Sequence, residues 1–338
     1  MMLRVLFGVI ISSLIILNDG AYCHGSPPSN AQPNNEPIYD GIETLQFIKK
    51  VNNGELYLSG NNDQQLYVTH VYGTPYEMGY AQGELLKDII IEFIGLTWEY
   101  MISQIPASKL MPYYANMTIQ EALQLEIEAT KPFTPDYWME EFQGLSDATG
   151  LPVLDIQRIH MLPSLTRGSC SMFGANGDAT KSNDGKLIQL RALDWDTEGP
   201  FKDYPAITIY HPANGGNVFA NLGFTGFIGS ITGISSKDVS ISEIGVSFPD
   251  DTFGRETRFG YPFIYVLRDI LQFDNNTDDA TYRLQNTHRT CNLILGAGSS
   301  TNNKFSGYEY SETVLNVYEW DNLEPYNETW HPRIKDIV

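Results

Sequence analysis

Hydrophobic and polar positions follow two different patterns along the chain, and the change falls near residue 170. Before it, apolar residues recur every three or four positions, which is the period of a helix with one buried face. This spacing predicts four helices, at 78–105, 119–129, 135–149 and 153–162. One alternating run, at 66–71, predicts a strand ahead of them. The first half of the mature chain is therefore expected to be mostly helical.

After the change, short β-prone runs alternate with turns that are rich in Gly and Asn. These runs predict strands at 171–173, 187–193, 206–210, 218–222, 239–244, 292–295 and 314–320. The sequence Ser182-Asn-Asp-Gly185 predicts a tight hairpin turn, because Gly readily adopts the positive φ that such turns require. Two more helices are predicted, at 262–273 and 278–285. Helices followed by strands, then helices and strands again, indicate an α+β layered fold.

The first residues predict a secretory signal peptide. Arg4 precedes a mostly apolar run at 5–17, and Ala21 and Cys23 stand where a cleavage site has small residues. The run is shorter than the about 20 apolar residues of a membrane-spanning helix. We therefore expect cleavage after a signal peptide of residues 1–23, with an N-terminal membrane anchor as the alternative.

The mature chain is expected to begin with a leader and then to form one folded unit. Residues 24–37 are rich in Pro, Asn and Ser, which predicts a disordered leader. The mostly helical segment 38–169 and the β-rich segment 170–338 follow, and we expect them to fold together. Three N-glycosylation sequons agree with a secreted or lysosomal protein. They begin at Asn116, Asn275 and Asn327.

Composition and charge narrow the possible partners. Hydrophobic residues make up 42% of the chain and charged residues 18%, which is enough apolar material for a substantial core. The chain has 21 Lys and Arg against 41 Asp and Glu, a formal net charge of -20 at pH 7. This charge disfavours a nucleic-acid partner and an anionic membrane surface. No run after the signal peptide is apolar for long enough to span a bilayer, so we expect no stable membrane insertion.

Familiar metal and cofactor motifs are absent from the sequence. It contains no His-Glu-x-x-His, Cys-x-x-Cys, phosphate-binding loop or Gly-x-Ser-x-Gly motif. Asp194-Trp-Asp-Thr-Glu-Gly199 begins like a calcium loop, but Pro205 stands where such a loop needs a bidentate Glu. We therefore predict neither a metal site nor a cofactor.

Two cysteines remain once cleavage removes Cys23, and their chemistry is open on the residues alone. Cys170 and Cys291 can form a disulfide or stay as thiols. A free cysteine is often simply a buried core residue. A reactive one needs a nearby cation or base to favour the thiolate. Downstream of Cys170, Arg191 offers a permanent positive charge and Asp194 a carboxylate that can orient a base.

The sequence around Cys170 resembles the start of the mature catalytic chain in cysteine N-terminal-nucleophile hydrolases, the family of acid ceramidase and acyl-coenzyme A:isopenicillin N acyltransferase. The resemblance rests on Cys170-Ser-Met-Phe, Thr180-Lys-Ser-Asn-Asp-Gly-Lys186 and Arg191-Ala-Leu-Asp194-Trp, and upstream on Gly73-Thr-Pro-Tyr-Glu-Met-Gly79-Tyr-Ala-Gln-Gly83. It implies the four-layer αββα fold of that family, with a helical N-terminal segment.

The resemblance also implies a mechanism. The precursor would cleave itself between Ser169 and Cys170 and leave α and β fragments that stay associated. The freed α-amino group of Cys170 would act as base for its own thiol, which removes the need for a catalytic histidine. Arg191 would lower the pKa of the thiol, and Asp194 would hold the α-ammonium group. The implied substrate is a linear N-acyl amide of a small molecule or lipid, similar to a ceramide or an N-acylethanolamine.

Other positions are less sharply defined by the resemblance. The family uses a later Asn as an oxyanion donor, for which Asn292 beside a predicted strand is the candidate and Asn327 the rival. Glu243 resembles an acidic position of the family, although solubility of a strand edge explains it equally well. In a regular strand, Arg191 and Asp194 point to opposite faces, so both can face Cys170 only where the strand ends or bulges.

Two alternatives to an amidohydrolase stay open. An acyltransferase would use the same nucleophile and differ only in its acceptor. A non-catalytic secreted binding protein would keep the fold with Cys170 and Cys291 bridged by a disulfide.

Overall fold

The structure is a computed structural model that describes residues 45–60, 65–104, 117–165, 169–194, 198–248, 251–254, 256–320 and 322. The predicted signal peptide and leader lie outside these residues, as do Asn116 and Asn327. Within the described ranges, none of the helices combines the length and apolarity that crossing a bilayer requires.

The described residues form a mixed α/β structure. Its α-helices are α1 (Pro75–Gln104), α2 (Ile119–Thr130), α3 (Asp136–Thr149), α4 (Val153–Leu165), α5 (Phe263–Phe273) and α6 (Thr277–Asn286). The first strands are β1 (Gln46–Val51), β2 (Gly54–Ser59), β3 (Leu66–Gly73), β4 (Ser169–Ala175), β5 (Ile188–Asp194) and β6 (Pro205–Pro212). The later strands are β7 (Phe219–Phe224), β8 (Gly233–Ser235), β9 (Val239–Gly245), β10 (Leu293–Ser299), β11 (Lys304–Tyr310) and β12 (Leu315–Tyr318).

Ten of the strands form one sheet in the order β1-β2-β3-β6-β7-β8-β9-β10-β11-β12. Neighbouring strands in it are antiparallel, except that β3 and β6 are parallel. Between β3 and β6 the chain forms helices α1 to α4 and a separate two-stranded sheet of β4 and β5. A parallel pair needs a long crossover connection, and this segment supplies it.

Helix ends follow the local sequence. Thr118 caps α2 in a reciprocal capping box with Glu121, which satisfies two backbone N–H groups that the helix leaves free. Gly150 ends α3 with φ +82°, a conformation that glycine adopts without steric penalty. Helices α1 and α3 pack closely because Gly79 lies against the backbone of Glu141, where any side chain would collide.

One hydrophobic core lies between the helices and one face of the large sheet. Helix α1 packs on β3, α5 on β8 and β9, and α6 on β10 and β11. The sheet contributes buried apolar residues to this core from strands along its length. They include Val71, Tyr210, Phe219, Ile241, Leu295 and Tyr308.

The two-stranded sheet packs on β9 and β10 of the large sheet. Ser240 Oγ donates a hydrogen bond to Gln189 Oε1 (2.5 Å), and Gln189 Nε2 donates to Ser242 Oγ (3.0 Å). A Cβ atom at Gly174 would lie 2.1 Å from Cγ of Phe305, so glycine is required for this close approach. The pair β4–β5 is therefore fixed against strands β9 to β11 of the large sheet by polar contacts and by the small size of glycine.

The structure confirms the predicted helices to within a few residues at their ends. Strands β1 and β2, which form a hairpin that continues into β3, were not predicted. Strands β8 and β11 were not predicted either.

The connection between β4 and β5 is longer than the predicted tight turn. A 3-10 helix at Gly177–Asn183 precedes two residues with positive φ, Asp184 (56°) and Gly185 (69°).

Candidate active site

Cys170 and Arg191 meet on the two-stranded sheet. Cys170 lies on β4 opposite Leu193, and Arg191 lies on β5 opposite Met172. Exposure alternates along β5, so that the residues Gln189, Arg191 and Leu193 are less exposed than the residues between them. The side of the hairpin that faces the large sheet therefore carries the thiol and the guanidinium together.

Arg191 contacts both a thiol and a carboxylate. Its Nη2 donates to Cys170 Sγ at 3.3 Å and to Glu243 Oε1 at 2.6 Å. Its Nε also donates to the backbone oxygen of Glu243 at 3.5 Å. The side chains of Arg191 and Glu243 are only 6% and 9% exposed. A buried arginine–glutamate pair thus lies directly beside the thiol.

Burial controls the protonation of this group in the intact chain. Burial raises the pKa of the Cys170 thiol, and the nearby Glu243 carboxylate raises it further. Arg191 acts in the expected direction and lowers this pKa, but its effect is outweighed. Burial likewise raises the pKa of Glu243, against the opposing effect of Arg191. Before any cleavage, the nitrogen of Cys170 is a peptide amide and offers no base.

Asp194 approaches the thiol through its backbone. The backbone N–H of Asp194 hydrogen-bonds the sulfur of Cys170 and lowers the thiol pKa. Asp194 is exposed whereas Arg191 lies on the covered side of β5, as the alternation of a regular strand predicts. Strand β5 ends at this residue, and Asp194 lies opposite Ser169 across the hairpin. The Asp194 carboxylate is therefore on the open side of the hairpin.

A largely apolar cavity of about 90 Å³ adjoins the pair. Its walls come from α1, α4, the connection after β7, and the neighbouring strands β9 and β10. The apolar lining includes Phe93, Leu162, Phe201, Phe224, Phe227 and Ile231. Glu243 and Asn292 line it as well, so the cavity has a polar end beside Arg191.

Asn292 lies at this polar end, just before β10. Its backbone N–H donates to Glu256 Oε1 at 3.2 Å. Its side-chain Oδ1 is buried and accepts no hydrogen bond from the described residues. A side-chain amide in this position has hydrogen-bonding capacity to offer a bound molecule. The structure thus brings Asn292 to the same cavity as Glu243.

No disulfide joins the two cysteines that the structure describes; Cys170 is half-buried and Cys291 is buried. Cys291 is a further lining residue of the cavity. Of the predicted glycosylation positions, Asn275 is described and exposed, and its backbone N–H donates to Asp279 Oδ2 at 3.0 Å. Among the residues that the structure describes, no three His, Cys, Asp or Glu side chains converge as metal ligands do.

Glu243 is the residue whose place in the site the sequence left undecided. It lies inside β9, is 7% exposed and pairs with Arg191, so solubility of a strand edge does not explain it. The available signal was an acidic residue within the β-prone run 239–244, which also contains Val239, Ile241 and Ile244. A carboxylate at such a position requires a buried partner.

Fold and site together define a mixed α/β protein with a half-buried thiol beside a buried arginine–glutamate pair. No family model matches the chain. It is 36% identical over 326 residues to protein dcd1A of Dictyostelium discoideum, an alignment that covers 89% of this chain and 71% of dcd1A. The chain belongs to the same family as dcd1A.

Protein dcd1B of the same organism is 38% identical over 322 residues, which cover 90% of this chain. The chain spans 61% of the length of dcd1B. Among solved structures, the N-acylethanolamine-hydrolyzing acid amidase ortholog of Caenorhabditis elegans is 18% identical, with a TM-score of 0.35. That match covers 44% of this chain and 63% of the amidase chain.

Proposed function

We propose that the protein is a cysteine amidohydrolase of the N-terminal-nucleophile type that cleaves linear N-acyl amides. The contact of Arg191 with both the Cys170 thiol and Glu243, beside an apolar cavity, is the observation that carries this proposal. The resemblance of the sequence around Cys170 to that family supports it. The order of helices, large sheet and stacked hairpin corresponds to three of the four layers, α, β and β, of the αββα fold that we propose.

Self-cleavage between Ser169 and Cys170 is the first step that we infer. The thiol attacks the carbonyl carbon of Ser169, the peptide C–N bond breaks, and a thioester forms while the nitrogen becomes a free amine. Water then hydrolyses the thioester, which leaves a carboxylate on Ser169 and a free thiol on Cys170. The two fragments stay together as partners, because the helices and strands on either side of the bond share one core.

The new N-terminus supplies the base that the intact site lacks. An α-amino group has an unperturbed pKa of about 7.7–8.0, so its neutral form can accept the thiol proton near neutral pH. Arg191 then stabilises the thiolate. From the family resemblance, we infer that the Asp194 carboxylate holds the α-ammonium group. The thiolate attacks the amide carbonyl, the amine leaves with a proton, and water hydrolyses the acyl-thioester.

The cavity suggests how the substrate lies. Its apolar walls suit the hydrocarbon part of an acyl group, and the carbonyl would lie at the polar end. We assign Asn292, which lines this end of the cavity, as the residue that donates to the oxyanion through its Nδ2 amide group. No cofactor takes part in these steps. The secretory sequence features suit a secreted or lysosomal enzyme that is glycosylated at exposed positions such as Asn275.

The test is to express the full chain in a secretory host and analyse wild type, Cys170→Ser and Cys170→Ala together. Denaturing gels and N-terminal sequencing should find a fragment that begins Cys-Ser-Met-Phe in the wild type. Cys170→Ser should cleave slowly, since a hydroxyl can perform the same acyl shift, and Cys170→Ala should stay intact. An uncleaved wild-type chain would refute self-cleavage.

Activity is measured separately with a series of N-acyl aminocoumarins. Their acyl chains range from about 6 to about 16 carbons, so that the series includes the lengths of common lipid acyl groups. Wild-type enzyme should release fluorescent amine and a free carboxylic acid, and Cys170→Ala should release neither. Transfer of the acyl group to an added amino alcohol in preference to water would identify an acyltransferase, whereas a hydroxamate formed with hydroxylamine only shows that an acyl-thioester exists. A processed chain that turns over no substrate in the series would contradict the proposed amidase.

A further inference from the structure

The connection between β7 and β8, residues 225–232, is buried although it has no regular secondary structure. Residues 225–230 are all buried. Loops normally lie at the surface because their backbone polar groups need water. A buried loop must satisfy these groups by other means. This loop also forms part of the cavity wall, through Phe227 and Ile231.

Three buried polar side chains hold the backbone of this loop. His160 Nε2 accepts the N–H of Ile228 at 2.8 Å, and Arg268 Nη1 donates to the Ile228 oxygen at 2.9 Å. Asn221 Nδ2 donates to the oxygens of Phe227 (3.3 Å) and Gly229 (2.8 Å). Both backbone polar groups of Ile228 are therefore fixed by side chains from other elements, α4 and α5.

His160 makes a second kind of contact with the loop. Its ring stacks on Phe227, with centroids 4.5 Å apart and planes 5° from parallel. Phe142 packs edge-on against the same histidine ring, with centroids 4.8 Å apart. His160 Nδ1 lies 2.7 Å from the oxygen of Ile156. Since that oxygen only accepts and the Ile228 N–H only donates, both contacts require neutral histidine with the proton on Nδ1.

We propose that His160 is a positioning residue that holds Phe227 in the wall of the cavity and thereby sets which acyl groups the cavity accepts. The inference deepens the proposed function, because it concerns the specificity of the same site. His160 does not line the cavity itself and acts through Phe227. Burial lowers the pKa of His160 to about 4, which agrees with the neutral form that the two hydrogen bonds require.

Three substitutions separate the contacts of His160. His160→Gln keeps an acceptor near the place of Nε2, and His160→Asn keeps a donor near the place of Nδ1. His160→Phe keeps the stacked ring and loses both hydrogen bonds, so that the Ile228 N–H is buried without a partner. His288, which is exposed and packs on Phe133 (4.9 Å), provides the matched control His288→Asn outside the cavity.

The experiment measures binding of saturated fatty acids of graded length by calorimetry, and kcat and KM for the matching N-acyl aminocoumarins. We expect His160→Asn to bind the best wild-type chain about tenfold more weakly and to lose the preference among lengths, which corresponds to about 1.4 kcal/mol. His160→Gln should keep most of the preference, and His288→Asn all of it. A purely structural role would lower the active fraction and leave KM and the length preference unchanged.

The outcomes of this test are distinct from those of the proposed function. If the wild-type chain binds fatty acids with a length preference but cleaves no amide, the amidase proposal is refuted. The role of His160 is then tested by the fatty-acid binding of its variants alone. Wild-type length preference in folded His160→Asn or His160→Phe would overturn the proposal. So would a wild-type chain that binds no fatty acid. Should His160→Asn fail to fold, the same comparison is made with His160→Phe and His160→Gln.

Discussion

Arg191 and Cys170 lie on neighbouring strands but are not register partners, because Cys170 lies opposite Leu193 and Arg191 opposite Met172. The guanidinium therefore reaches the thiol diagonally, with Nη2 3.3 Å from Sγ. Diagonal neighbours on a strand pair are within reach of long side chains such as arginine. The same reach brings the guanidinium to Glu243 on the large sheet. The Arg191 side chain thus links the hairpin to the large sheet and contacts both the Cys170 thiol and the Glu243 carboxylate.

The two partners of Cys170 should shift its thiol pKa in opposite directions. Arg191→Ala removes the cation that lowers this pKa and should raise it, whereas Glu243→Gln removes the anion that raises it and should lower it. The measurement is the pH dependence of iodoacetamide alkylation in a Cys291→Ser background, where Cys170 is the remaining described thiol. Shifts in the same direction for both variants would contradict the arrangement of charges described here.

The same arginine should also matter for stability. Arg191→Ala leaves the Glu243 carboxylate buried without its cation, and breaking such a pair costs about 3–5 kcal/mol. Arg191→Lys should recover only part of this and of the activity, since a point charge does not reproduce the planar guanidinium. Urea unfolding of the two variants tests the difference. Equal midpoints would mean that the geometry of the guanidinium is unimportant.

Docking of the hairpin should depend on Gly174. A Cβ atom there would lie 2.1 Å from Cγ and 2.7 Å from Cβ of Phe305, atoms near the partner backbone that cannot move freely. Gly174→Ala should therefore cost about 1–3 kcal/mol through overpacking, and should lower activity by displacing Cys170. Gly95→Ala is the matched control, because its Cβ meets nothing within 4 Å and alanine should stabilise α1 by about 1 kcal/mol. The free energy of unfolding of both variants checks this, and equal effects would contradict it.

Arg268 and Glu141 form a second buried ion pair, with Nη2 and Oε2 2.6 Å apart. Glu141→Gln should destabilise the protein by about 3–5 kcal/mol, because it leaves the Arg268 cation buried without its counter-charge. Asp155→Asn breaks the more exposed pair with Arg158 and should cost less than about 1 kcal/mol. Thermal or urea unfolding compares them, and a Glu141→Gln variant as stable as Asp155→Asn would show that the buried pair contributes little.

The helices could be predicted from the sequence because their burial follows their own periodicity. Helix α3 shows one apolar face and stops at Gly150, whose positive φ ends it. Strand β1 could not be predicted, since nearly all of its residues are exposed and no alternation marks it. Strand β8 has only three residues, too few for a pattern.

In the candidate site, too, some contacts could be predicted from the sequence and others could not. Cys170 and Arg191 could be brought together from the sequence, because they lie on the two strands of one hairpin. Glu243 could not be paired with Arg191 in advance, because its contact depends on how this hairpin packs on β9. The sequence did not indicate the role of His160 either, since its hydrogen-bond partner is the backbone N–H of Ile228, 68 positions away. Contacts between elements, rather than within them, carry this information.

The pH dependence of stability should reveal the neutral state of His160. Burial lowers its folded-state pKa to about 4, whereas an unfolded histidine has a pKa of about 6.5. As pH falls from about 6.5 to about 4, the unfolded state gains a proton that the folded state does not, so stability falls by up to about 3 kcal/mol. Above pH ~6.5 both states are neutral and this contribution does not change.

Other buried groups titrate in the same range with the opposite sign, so the test compares two profiles. Burial raises the pKa of Glu126 to about 7 and of Asp269 to about 6. Because these carboxyl groups are harder to ionise in the folded state, they make the protein less stable as the pH rises towards these values. The charges nearest His160, Arg268 and its partner Glu141, are common to wild type and His160→Gln. The difference in unfolding free energy between wild type and His160→Gln should therefore change between about pH 6.5 and about pH 4 and stay constant above about pH 6.5, because the two proteins differ only at residue 160. Parallel profiles across this range would mean that His160 does not stay neutral in the fold.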